Sequence, residues 1–252
     1  MACTSMITKH WYDRSLQSIA QGSLTNGKHP ATDVLGVFPT HFDRGYGAYL
    51  HIDSDNGRSG YRYLDLVSGL GAINLGYANE QLESEVEKVS RHGGCLSGAT
   101  KQEVITAEKV KSVFHWTERV KFLNDGTESC MAAIRMARAF TGKDLVLWEG
   151  YHGWYDEATA INDNAVGTPL GHKTINLSAI DLNADLSPVA AIILEPVMLD
   201  DSRDRIEFLK KLRTICDKHK IILIFDEVIT GMRYPSLSVA KKWSIYPDLI
   251  CL

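Results

Sequence analysis

"IILIFDEV", Ile221–Val228, sets five consecutive apolar residues in front of two adjacent carboxylates, Asp226 and Glu227. A short apolar run of this kind reads as a strand buried on both faces, the pattern of a parallel sheet covered by helices. A carboxylate held at the end of such a strand is costly unless a cation or hydrogen-bond donors meet it. Working outward, "RVKFL" (119–123), "DLVLWE" (144–149) and "AAIILE" (190–195) read as further strands, alternating with helical patterns near 127–141 and 202–219. The second helix sets Ile206, Leu209, Leu212 and Cys216 on one stripe with charges opposite, as a helix covering a sheet requires. The alternation predicts an α/β fold with a mostly parallel sheet flanked by helices.

Before this region the pattern differs. The stretch "GVFPTHFDRGYGAYLHIDSDNGRSGYRYLDLVSGLG" mixes aromatic and aliphatic residues with Gly, Asp and Asn turn signals and predicts short strands in hairpins. A helix is signalled after Asn79, with Leu82, Val86 and Val89 on one face and Gly93 and Gly94 as its stop. Thr100 and Glu103 stand in capping-box spacing ahead of Val104, Ala107, Val110 and Phe114. The change in pattern sets a strand-bearing N-terminal segment, 1–70, ahead of a large domain, 71–252.

The 252 residues are 44% hydrophobic, enough for a substantial core. A formal net charge of −4 without a basic run argues against nucleic acid or an anionic membrane as partner. Small-molecule chemistry is the expectation. The five cysteines are odd in number and form no C-x-x-C pair, so reduced thiols in the cytoplasm are expected, with neither a disulfide framework nor a zinc site. The N-terminus lacks a signal-peptide core, and no apolar stretch reaches the ~18 residues of a membrane span. Nine histidines show no H-E-x-x-H or comparable spacing, and no metal is expected.

Ligands of open parallel sheets bind beyond the carboxyl ends of the strands. After 119–123 the chain runs through Asn124, Asp125, Gly126 and Thr127 directly into a helix, a junction whose free N–H groups suit a phosphate and which is equally an ordinary helix cap. After 144–149, Gly150 and Gly153 flank Tyr151 and His152, where an aromatic ring could face a flat ligand or simply pack. Glu195 ends the 190–195 run before Pro196. Asp226 could pair with a protonated heteroaromatic nitrogen such as that of pyridoxal phosphate, keeping the ring able to accept electrons when a bond at a substrate carbon breaks. Phosphate turn, aromatic loop, Glu195 and Asp226 together suit a flat, phosphorylated cofactor better than any one of them does.

Several stretches resemble the class III aminotransferases, particularly the branch that includes glutamate-1-semialdehyde aminomutase: "FLNDGTESCMAAIRMARAFTGKD", "EGYHGWYD", "IILEPV", "IFDEVITGMR" and "YPDLICL", together with "GAYLHIDSDNGRSGYRYLDLVSGLGAINLGYANEQL". The resemblance is collinear from about Gly36 to Leu252. It implies a pyridoxal 5'-phosphate enzyme moving an amino group between an amine and a carbonyl compound, and a homodimer. Carried over by position, Gly126 and Thr127 bind the phosphate, Tyr151 stacks on the ring with His152 close by, Val228 packs against the other ring face, Glu195 approaches the cofactor and substrate, and Asp226 pairs with the ring nitrogen. Glu227 is then structural support.

Two departures stand out. Asp125 replaces a common Ser beside the phosphate, and its side chain is expected to turn away. The Schiff-base lysine of the family follows "PDL" by a few residues, beyond Leu252. Lys241 and Lys242 precede "YPDL" on an expected surface helix and are poor substitutes, since a nucleophilic amine must reach the cofactor with a lowered pKa. The chain alone is therefore expected to be inactive and to be completed by a second polypeptide at the apolar edge near "DLICL". The competing reading is a non-catalytic remnant that retains the phosphate turn and Asp226. A nicotinamide dehydrogenase is disfavoured, because "GLGAINLG" has the wrong glycine spacing for a dinucleotide fold.

Overall fold

The computed structural model describes residues 4–29, 39–53, 60–94, 96–159, 173–198 and 201–252. Two compact units divide it, Met1–Gly98 and Ala99–Leu252. Gly36, Cys3 and Cys95 lie outside the described residues.

The first unit contains helix α1 (Thr4–Ser18) and an antiparallel sheet of β1 (Arg44–Tyr46), β2 (Tyr49–Ile52) and β3 (Tyr61–Leu64), in that order. The expected hairpins are present: Gly47 and Ala48 close the β1–β2 hairpin, with Tyr46 paired to Tyr49. Gly47 turns with φ +56°, a conformation that suits glycine. Helix α2 (Glu80–Ser90) starts where the sequence signals it, the Asn79 side chain accepting from the Leu82 N–H.

The second unit opens with α3 (Lys101–Val113), whose Thr100–Glu103 capping box forms in both directions. Its main body is a five-stranded parallel sheet of β4 (Leu145–Glu149), β5 (Thr174–Asn176), β6 (Val189–Leu194), β7 (Ile222–Asp226) and β8 (Leu249–Cys251), ordered β5-β4-β6-β7-β8. Helix α4 (Gly126–Thr141) covers one face and α6 (Arg203–His219) the other; the short α5 (Asp156–Thr159) and α7 (Val239–Trp243) complete the unit. Strand alternation divides the core between the two faces. Leu223 and Phe225 of β7 join Ile192 and Leu194 of β6 against Leu209, Leu212 and Cys216 of α6. Ile224 joins Ile193, Val146 and Trp148 against Cys130, Ala133 and Ile134 of α4. Two residues beyond Ile224, Asp226 is carried by the same period toward α4.

The expected strand at 119–123 is a correction: 117–123 carries no strand assignment, and Phe122 and Leu123 are exposed. Alternating apolar residues supply strand propensity, but a strand exists only where a neighbour takes up its backbone groups. Here a groove of about 720 Å³, lined by Val120, Lys121, Leu123, Leu249 and Ile250 among others, lies between this segment and the free edge of β8.

At the centre of the sheet, Ile193 is fully buried. Ile193→Ala is expected to lower the unfolding free energy by about 3 kcal/mol, whereas Phe140→Ala, at an 83% exposed position, should change it by less than about 0.5 kcal/mol. Urea denaturation of the two variants checks the contrast.

Candidate functional site

The carboxyl ends of β4, β6 and β7 present Glu149, Glu195 and Asp226 at one end of the sheet. Asp226 is 6% exposed and every oxygen has a donor. Its Oδ1 accepts the Val228 N–H at 3.0 Å. Its Oδ2 lies 2.6 Å from His152 Nδ1 and receives the Cys130 thiol at 3.3 Å. His152 is itself buried, and its Nε2 faces the Glu149 carbonyl at 2.9 Å. A carbonyl oxygen only accepts, so Nε2 carries a hydrogen and the proton between Nδ1 and Oδ2 belongs to the pair. Trp148 stacks edge-on with the imidazole, ring centroids 4.6 Å apart.

The 150–153 loop is fastened from several sides. The Trp148 indole N–H donates to the Gly150 carbonyl, and the Tyr151 N–H donates to Glu195 Oε1 at 2.9 Å. Gly150 and Gly153 have φ of +109° and +113°. A Cβ at Gly150 would sit 2.7 Å from Glu195 Oε1, and one at Gly153 would collide with the Thr127 side chain. Both positions need glycine for conformation and for space. The loop thereby joins Glu195 on one side to Thr127 on the other, while the Tyr151 ring is left 71% exposed.

Thr127 and Gly126 form the first turn of α4. The helix is capped by Asp125, whose Oδ1 accepts the Glu128 N–H at 2.8 Å, so this carboxylate is committed to the helix end. The Gly126 and Thr127 amides precede the first helical bond, Ser129 N–H to the Asp125 carbonyl, and have no acceptor within the helix. Val228 packs on the same turn: a Cβ at Gly126 would lie 3.0 Å from both Val228 methyls. All seven residues singled out in the sequence, Gly126, Thr127, Tyr151, His152, Glu195, Asp226 and Val228, are thus linked by contacts at one end of the sheet.

Two residues of the site were not singled out. Cys130 reaches Asp226 from α4. Arg205, in the first turn of α6, grips both oxygens of Glu149 at 3.2 and 2.8 Å and donates to the Glu195 and Pro196 carbonyls. It ties the ends of β4 and β6 together. Cys130, His152 and Asp226 offer donor atoms within 4.8 Å of one another, a cluster that no short-range motif announces. These groups are engaged in hydrogen bonds with each other.

Glu227, the second carboxylate of the opening stretch, is fully buried and has partners of its own. Its oxygens accept the Val239 and Ala240 N–H groups at 2.8 and 3.0 Å and the Thr230 hydroxyl at 3.0 Å. It is the anchor for the start of α7. Lys242, on that helix, pairs with Asp201 and lies over the Tyr234 ring, 4.3 Å from its centroid, and Lys241 is exposed.

One end of the sheet thus gathers helix-start amides that, among the described residues, have no acceptor, a valine against that turn, an exposed tyrosine ring and a buried carboxylate. The class III aminotransferase family model matches residues 34–252. The chain belongs to the class III aminotransferase family. Glutamate-1-semialdehyde 2,1-aminomutase of Salinibacter ruber is 31% identical over 267 residues, covering 97% of this chain and 59% of that protein. The same enzyme of Cytophaga hutchinsonii is 32% identical, covering 94% and 59%. The class III chain described here therefore spans about three-fifths of the length of these curated relatives. Among solved structures, a transaminase with PLP bound superimposes with a TM-score of 0.82 at 22% identity, over 98% of this chain and 61% of that one. A glutamate-1-semialdehyde aminomutase from Pseudomonas aeruginosa gives 0.78 at 18% identity, over 97% and 56%. The family's fold is accordingly the fold of this chain. No described helix is long and apolar enough to cross a membrane.

Burial is the main cause that raises the Glu227 pKa above the usual carboxylate range. A raised folded-state value means that the protonated acid favours the fold; this contribution is complete below the unfolded pKa of about 4.3 and is lost as pH climbs through the folded value. As pH rises from about 4 through that raised value, the wild type is therefore expected to lose stability relative to Glu227→Gln, which does not titrate. Glu227→Ala, which strands three buried donors, should cost about 3 kcal/mol at neutral pH. Urea denaturation across that pH range checks both.

Proposed function

We propose that this chain supplies the pyridine-ring half of a pyridoxal 5'-phosphate site for amino-group transfer between an amine or amino acid and a carbonyl compound, in the manner of the aminomutase branch. The single observation that carries the reading is the buried Asp226 carboxylate, hydrogen-bonded to the Val228 N–H and His152 beside the start of α4. When bound, the cofactor supplies an electron-accepting ring for bond cleavage at the amine-bearing carbon. Asp226 keeps a ring nitrogen protonated by offering a fixed negative charge to it. The Gly126 and Thr127 amides and the helix dipole hold the phosphate. Tyr151 and Val228 bracket the ring faces, and Glu195 fixes the Tyr151 backbone while facing the substrate side.

In this reading residues 1–70 form a strand-bearing N-terminal segment and 71–252 the partial cofactor domain, in a soluble cytoplasmic enzyme. Neither lysine of α7 is placed to hold the cofactor aldehyde, since Lys242 is already paired with Asp201 and both lie on the surface of the helix. The lysine-bearing remainder of the fold, carried by this polypeptide or by another, would be laid against the edge of β8 and the groove beside Val120 and Ile250, and a homodimer would assemble around the completed fold. The relatives' additional length supports this reading.

Asp226→Ala is expected to weaken pyridoxal phosphate binding at least about 30-fold, as removal of one partner of a buried charge pair does; equal affinity in both proteins, by equilibrium dialysis, would overturn the assignment. The chain alone should bind the cofactor reversibly, without a borohydride-stable adduct on Lys241 or Lys242. Adding a polypeptide that matches the remaining part of the relatives should produce the adduct on its own lysine, together with amino transfer. An adduct on α7, located by peptide mass spectrometry, would contradict the division proposed, and an assembled complex without turnover would favour the non-catalytic reading.

A further inference from the structure

Cys130 occupies a place that the proposed function leaves without a task. It lies in the second turn of α4, fully buried, and points at the sheet face where Asp226 and Cys251 are register partners on β7 and β8. Its sulfur is 3.3 Å from Asp226 Oδ2, the oxygen already bonded to His152. Between the acceptors that Cys130 faces, a carboxylate oxygen is much stronger than a thiol sulfur, so the Cys130 hydrogen goes to Asp226.

We infer that Cys130 is a positioning residue for Asp226: its S–H and His152 load Oδ2 together, fixing the carboxylate so that Oδ1, which among the described residues carries the Val228 N–H alone, is the oxygen presented to a ring nitrogen. The inference rests on the cofactor reading above and adds to it a residue that touches neither cofactor nor substrate. The thiol is a durable donor. Contact with the Cys251 thiol, then burial and the Asp226 charge, all push its pKa up, so it keeps its hydrogen and is a poor nucleophile. Without that donor, Oδ2 retains one partner and the carboxylate can rotate about its last torsion, which is a soft one.

Two ligands separate positioning through Asp226 from general packing: pyridoxal phosphate, and its analogue with carbon in place of the ring nitrogen, which cannot engage the carboxylate. Cys130→Ala, or the bulkier Cys130→Val should the alanine variant fold poorly, is expected to weaken pyridoxal phosphate binding about fivefold while changing affinity for the carbon analogue less than about twofold. Cys130→Ser, which keeps a donor, should restore most of the loss. In the ligand-free chain, the S–H stretching band that disappears in Cys130→Ala should move to higher frequency in Asp226→Ala, as a thiol released from a carboxylate does. Unchanged affinity in Cys130→Ala and Cys130→Val, equal losses for both ligands, or an unmoved S–H band overturns the inference alone. A wild type that binds the two ligands equally, or binds neither, overturns the ring-nitrogen reading of Asp226 and this inference with it.

Discussion

A carboxylate buried at the tip of β7 is the constraint around which the second unit is arranged. Asp226 is almost without solvent, and an ionised group there survives only if the protein replaces water's hydrogen bonds. The three replacements come from three different elements: the backbone beyond β7, the loop after β4, and the second turn of α4. None of them is local in the sense of a turn or cap except Val228. Asp226 is therefore satisfied only when α4 is packed on the sheet and the 150–153 loop is seated, which couples site geometry to the formation of the α4-side core.

The two neighbouring acids of the opening stretch do different work because a strand sends successive side chains to opposite faces. Ile224 and Asp226 share the α4 face, and Phe225 lies in the core against α6. Glu227 leaves the strand toward α7, whose first amides it accepts, with the Thr230 hydroxyl filling its remaining valence. It also takes part in the backbone pairing to β8, its N–H donating to the Cys251 carbonyl. One carboxylate thus gathers donors from three elements at the end of the sheet, and the other has its polar capacity consumed in holding the chain segment that leads to the sheet edge.

Much of this was legible in the residues. The apolar runs of β4, β6 and β7 and the stripe Leu209, Leu212, Cys216 follow from burial on both sides of a sheet, which leaves a continuous or periodic apolar signature. Asn79 and Thr100 announce helix starts because capping is local chemistry. Pairing is not local, and "RVKFL" failed for that reason: propensity without a neighbouring edge does not make a strand. The three-residue β5 is too short to leave a pattern, and its register with Val146–Trp148 is set entirely by β4. The Leu82, Val86 and Val89 stripe of α2 gave the helix correctly, yet all three are about half exposed, since amphipathic spacing says nothing about what covers the stripe. Cys130 was invisible for a related reason. It meets Asp226 across 96 residues of sequence, and nothing about a cysteine inside a helix signals which strand tip it will face.

The exposed Tyr151 and the buried His152 are two outcomes of the same backbone. His152 is drawn inward by acceptors on both ring nitrogens, the Glu149 carbonyl and Asp226. The Tyr151 amide is simultaneously held by Glu195, whose strand end is in turn gripped through its carbonyl by Arg205. With the amide pinned and the imidazole buried, the tyrosine ring has nowhere to go but solvent, and the flanking glycines remove the side chains that would push the loop off Glu195 and Thr127. The Tyr151 side chain is 71% exposed. That exposure follows from the hydrogen bonds that seat the loop between Glu195 and the buried acid.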